Sequence, residues 1–162
     1  MATRDSTAAL LRAYSASARI NQFLVEQLDP AVWRARPDGT EKVRNIAEIV
    51  AHLHNCGLRY LERTDPDVGV PAELDRARVT PAQAARALGA KRKAVLRIVG
   101  AAIVEGRRIV GFPHGAPGYL LYYMLHDSHH RGQIVMLARQ LGSPISTKTM
   151  SGMWQWGARE KE

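Results

Sequence analysis

One cysteine, Cys56, stands in the whole chain. An intramolecular disulfide framework is therefore excluded and a reducing compartment fits, although a lone thiol keeps its capacity to react. No stretch approaches the roughly 18 uninterrupted apolar residues of a membrane span. The first residues, Met1-Ala2-Thr3-Arg4-Asp5, lack the apolar core of a secretory signal. A cytoplasmic protein without a membrane partner is expected. Also missing are the alternating pattern of strands, any internal repeat or low-complexity linker, and the spacings of zinc fingers or helix-turn-helix units.

What is present is a 162-residue chain with 46% apolar content, enough for one domain with a sizeable core, residues 1–162. The formal charge of +8, from 23 basic against 15 acidic residues, raises the question of a nucleic-acid partner. The distribution argues against one. Basic residues are scattered, with one denser cluster at Lys91-Arg92-Lys93 and a pair at Arg107-Arg108, the usual appearance of a solvated surface.

Apolar periodicity predicts four long helices, over about 6–28, 43–63, 80–105 and 119–141. Asp5 or Ser6 is placed to cap the first, which stops before Pro30. The second follows the turn residues Pro37-Asp38-Gly39 and ends before Asp65-Pro66. In Thr80-Pro81-Ala82-Gln83 the threonine can cap the third, the proline suits its first turn and the glutamine can complete a capping box. Gly142 and Pro144 stop the fourth. The tail, 142–162, carries Trp154 and Trp156 among Gly and Ser and is expected to pack on the bundle without a fifth long helix.

The most informative stretch is His126-Asp127-Ser128-His129-His130-Arg131-Gly132-Gln133-Ile134. At about 100° per residue, His126 and His130 project from one helix face, one turn apart. Two such imidazoles can share a divalent ion at about 2.0–2.1 Å. The stretch lacks the glutamate beside the first histidine that HExxH metalloproteases use as a base, and it needs a third ligand from elsewhere. On the same wheel Tyr119, Tyr122, Gln133 and Leu137 fall within roughly 40° of His126, so the pair sits on an apolar stripe facing inward or toward a pocket. Of the other histidines, His114 lies in a loop, while His52 and His54 flank opposite sides of the apolar arc of the second helix. Periodicity leaves both open as the third ligand.

These residues together, a histidine in Ile49-Val50-Ala51-His52-Leu53 followed by a late His-x-x-x-His-Arg-Gly-Gln-Ile helix ending in Leu141-Gly142, resemble the DinB family of bacterial damage-inducible proteins, which includes YfiT-like metal-dependent hydrolases. The resemblance runs from the first helix through Gly142 and is most specific over 126–133. It implies an all-α, up-down-down-up four-helix bundle, often a homodimer, with a divalent ion held by three histidines: His52, His126 and His130. Zinc or nickel is the expected ion, with manganese or iron as alternatives.

Around those ligands, Gln133 is placed to hydrogen-bond an imidazole, or else to tie two helices together as a buried amide. Cys56 lies one turn beyond His52, where it can line the cavity or act as a small buried hydrophobe. Tyr119 and Tyr122 wall the pocket or belong to the core. Glu48, one turn before His52, is the only acid the pattern sets near a ligand, and an exposed flank carboxylate is its plainer role. His129 is expected to hydrogen-bond at the pocket edge, and Arg131 to serve as an ion-pair partner. No catalytic acid or base is assignable.

The function expected is hydrolysis of a small-molecule substrate at the three-histidine metal site. Thiol-dependent S-transfer on the same site is the alternative chemistry, since relatives include transferases that use low-molecular-weight thiols. A non-catalytic, metal-stabilised dimeric stress protein is the third reading. The damage-inducible name describes expression and carries no mechanism.

Overall fold

The computed structural model describes residues 2–39 and 42–162. It is all-helical, with no strand among the described residues. Helix α1 spans Ala2–Glu26, α2 Ile46–Asn55, α3 Leu58–Thr64, α4 Pro81–Val104, α5 Gly115–Gln140, α6 Thr147–Met153 and α7 Trp156–Glu160, with one 3-10 turn at Pro30–Val32. Helix α1 begins upstream of Ser6, so Ser6 lies inside it; the side chain of Asp5, the other expected cap, lies outside the described residues. Helix α5 starts at Gly115, a turn before Tyr119. Pro117 does not prevent this, because the first turn of a helix has no intrahelical partner for its N–H groups.

Local chemistry accounts for the two best-marked starts. Asn45 accepts from the Glu48 N–H while Glu48 accepts from the Asn45 N–H, closing a capping box on α2. Thr80 and Gln83 do the same on α4, with Pro81 in its first turn.

The expected second helix is two helices. Cys56 is extended and Gly57 is left-handed, with φ +91°, between α2 and α3. A Cβ at Gly57 would lie 2.7 Å from the Tyr123 ring, so the close approach of α5 admits only glycine. Helix breaks free carbonyls that must be satisfied when buried. Here the buried Lys91 ammonium, from α4, donates to Leu53 O at 2.5 Å and Cys56 O at 2.8 Å, and the Tyr119 hydroxyl donates to Gly57 O at 3.3 Å.

Two apolar clusters form the core. One gathers Ile20, Leu24 and Val25 from the end of α1 with Ile46, Val50 and Leu53 of α2, Leu88 from the start of α4, and Ile134 and Leu137 from the end of α5. The other gathers Tyr14 of α1, Leu58 and Leu61 of α3, Val95, Ile98 and Val99 from later in α4, and Tyr119, Leu120 and Tyr123 from the start of α5. Between them runs a polar belt of Ser17, Asn21, Lys91, Asp127 and His130. In the tail, α6 and α7 lie against α1: Arg159 sits 4.2 Å over the Phe23 ring, and Glu162 pairs with Arg19 at 2.9 Å. No described helix is long and apolar enough to cross a membrane.

Gly57→Ala combines a left-handed backbone with overpacking against Tyr123, and is expected to lower the unfolding free energy by roughly 2–4 kcal/mol in urea denaturation. Gly132→Ala, at an exposed helical position with open space around it, is expected to be neutral or to stabilise by up to about 1 kcal/mol.

Candidate metal centre

Helix α5 buries two faces, and each has a different partner. One carries Asp127 and Arg131, one turn apart, against α1. Asn21 Nδ2 donates to Asp127 Oδ2 at 2.7 Å, while Arg131 donates to Asn21 Oδ1 at 2.7 Å and Ser17 O at 3.1 Å. The other face carries His126 and His130 against α2, where it meets His52.

The three rings converge. Their centres are 5.2 Å apart for His52 and His126, 4.8 Å for His52 and His130, and 4.6 Å for His126 and His130. Imidazoles sharing one ion, bound through nitrogens at about 2.0–2.1 Å with ligand angles of about 90–110°, have ring centres about 4.5–5.2 Å apart. The Nε2 atoms of His126 and His52 are 3.2 Å apart, against about 3.3–3.4 Å for two nitrogens on a tetrahedral zinc.

Neighbouring groups set the tautomers on α5. His126 Nδ1 donates to Asp127 Oδ1 at 3.1 Å and His130 Nδ1 donates to Gln133 Oε1 at 2.7 Å, which leaves both Nε2 atoms to act as ligands. The Gln133 amide donates in turn to His129 Nε2 at 3.0 Å. His129 thus meets the centre through Gln133, at its exposed edge.

Electrostatics separate the histidines. Burial, then the charge of Arg44 and the two other rings, lowers the His52 pKa to about 4 and keeps that ring neutral. The hydrogen bond to Asp127, helped by Cys56, raises His126 to about 9. Burial lowers His130. His126 as an imidazolium donates Nε2–H toward His52; a cation bound between the two nitrogens would take the place of that proton.

Cys56 completes the neighbourhood. Among the described residues, ligand atoms of His52, Cys56 and His126 all lie within 4.8 Å of one another, a group that does not include His130. The thiol pKa is lowered, chiefly by its hydrogen bond with His126, against burial. His52 and Cys56 sit on the wall of a cleft of about 930 Å³ lined also by Arg59, Tyr60, Arg76 and Tyr122. His130 and Gln133 open instead on an adjoining hollow of about 350 Å³.

The model of the DinB family matches residues 1–158. The chain belongs to the DinB family. No curated protein and no solved structure matches it.

Other residues singled out by this DinB chain's sequence lie apart from the cluster or at its margin. Tyr122 stacks on His126 at 6.0 Å and lines the cleft. Tyr119 is fully buried in the core beneath it. Glu48 is engaged away from His52, capping α2 and pairing with Arg36 at 2.7 Å. His54 faces the other way, its Nε2 2.9 Å from Ala72 O, and pins the 65–80 loop.

Sequence reasoning overlooked Asp127, Asn21 and Lys91. Asp127 adjoins His126 in the chain, but stands about 100° from it on the wheel, which hides the contact between their side chains. Lys91 sits in a basic cluster that reads as surface, and burial gives it away only in three dimensions.

Asp127 is the carboxylate whose charge supports half-buried Arg131 and buried Lys91. Asp127→Asn keeps its size and removes that charge. It is expected to cost about 3–5 kcal/mol of stability in urea denaturation, and a loss under about 0.5 kcal/mol would refute this account.

Proposed function

We propose that this chain is a metal-dependent enzyme, foremost a hydrolase, in which His52, His126 and His130 hold one divalent ion beside the large cleft. The observation that carries the reading is the pair of α5 imidazoles whose Nδ1–H groups are tied to Asp127 and Gln133 while Nε2 of His126 meets His52. Neutral imidazole donors suit zinc, nickel or iron, with zinc or nickel foremost and manganese a further alternative.

When bound, such an ion supplies Lewis-acid activation of a water or thiol and polarises the bond under attack. The chain does the rest. Asp127 and Gln133 orient the ligands, Tyr60, Phe112 and Tyr122 offer aromatic walls to an apolar substrate portion, and Arg59 and Arg76 offer cations to an anionic one. Glu73 and Asp75 are the carboxylates on the cleft wall available to move a proton.

A second reading, thiol-dependent S-transfer, draws support from the size of the cleft, about 930 Å³. That space accommodates a thiol cosubstrate and an acceptor together, with Arg59 and Arg76 on hand for carboxylates of the thiol. A cytoplasmic setting belongs to the same proposal, since it keeps Cys56 and any thiol cosubstrate reduced.

We further infer the up-down-down-up bundle. The end of α1, the starts of α2 and α4 and the end of α5 meet in one apolar cluster, as expected if α1 and α5 run one way and α2–α3 and α4 the other. A homodimer is the proposed assembly, supported by Leu121, Leu125 and Met136, which stand 53%, 64% and 55% exposed along α5.

Protein purified without a histidine tag is expected to carry one ion per chain by elemental analysis, with His52→Ala, His126→Ala and His130→Ala each abolishing stoichiometric binding. Gln133→Leu is expected to weaken affinity about 10–100-fold. Ester and amide panels, run beside thiol-transfer assays, decide between the chemistries; a metal-loaded protein inactive in all of them favours a structural ion. Light scattering is expected to show a dimer that Leu125→Glu converts to monomer.

A further inference from the structure

Two facing helices each present a pair of donor side chains one turn apart: His126 and His130 on α5, and His52 on α2 with Cys56 at its C-cap. The last turn of α2 is intact, since Cys56 N–H still donates to His52 O at 2.9 Å. Cys56 therefore projects from the same face as His52. Its Sγ, with a ligand nitrogen of His52 and one of His126, falls in a group whose members all lie within 4.8 Å of one another. The thiol lies on the cleft wall at the edge of the second apolar cluster, 3.8 Å from the Tyr123 hydroxyl.

We propose that Cys56 is a protein ligand of the ion, beside His52 and His126, with the sulfur on the cleft side. This rests on the three-histidine reading above and adds to it. On binding, the Cys56 S–H gives its proton to solvent and the thiolate electron pair goes to the ion, through a bond of about 2.3 Å reached by side-chain rotation. The soft donor biases the centre toward zinc and cobalt over manganese. A substrate entering from the cleft meets the sulfur first and must take a fifth position or displace it.

The test uses the full chain, untagged and stripped of metal, titrated with Co²⁺ alone. Wild type is expected to develop both visible ligand-field bands, from any histidine-bound cobalt, and a near-ultraviolet sulfur-to-cobalt charge-transfer band. C56S is expected to keep the first and lose the second. Visible bands in wild type without the charge-transfer band would overturn Cys56 as a ligand while leaving the three-histidine site standing. Absence of both would overturn the site itself, and the sulfur ligand with it. A measurement without a variant runs alongside: one equivalent of Zn²⁺ is expected to slow reaction of the Cys56 thiol with an aromatic disulfide reagent by at least about tenfold, and an unchanged rate counts against ligation.

Discussion

The carboxylate of Asp127 lies between the two apolar halves of the core, and much of the molecule is arranged around its charge. Burying an ion is costly unless it is paired and hydrogen-bonded. Asp127 accepts from Asn21 on α1 and from His126 on its own helix, and its field supports the half-buried cation Arg131 and the buried cation Lys91. The same group that joins α1 to α5 thus orients the imidazole at the candidate centre. Stability and chemistry here share an atom set, and a change made for one reaches the other.

The second constraint is the break at Gly57. A Cβ at Gly57 would lie 2.7 Å from the Tyr123 ring, and the chain turns through this left-handed glycine between the end of α2 and the start of α3. Lys91 holds the carbonyls released by that break. The result is that His52 in the last turn of α2 and Cys56 at its C-cap sit where side chains face both α5 and the cleft. Lys91 is thereby tied to the centre twice, through Asp127 by charge and through Cys56 by its carbonyl. The positive charge of the chain is in this respect partly internal: Arg131 and Lys91 compensate a buried acid, Arg36 braces a helix cap and Arg19 holds the tail.

Legibility from sequence followed the range of the interactions involved. Thr80-Pro81-Gln83 and the apolar runs of α1, α4 and α5 were readable because capping and periodicity act within a few residues. The shared face of His126 and His130 was readable for the same reason. The break at Gly57 was not, since the group packed against it is a tyrosine 66 positions away in the chain, Tyr123. Glu48 drew notice because it lies one turn from His52, yet the acid that touches a candidate ligand is Asp127, which the helical wheel sets off to the side.

The sequence by itself determined the all-helical class, both ends of α4, the C-terminal end of α5 and the position of one imidazole pair, because each depends on local spacing along a single helix. It left His52 and His54 equal by periodicity, and resemblance alone separated them. Only the tertiary structure decided that His52 meets the α5 pair while His54 turns to Ala72, that Cys56 joins the same group, and that Lys91 is interior. Those outcomes depend on which helices touch and at what register, and that is set by the packing of the two apolar clusters about a buried charge.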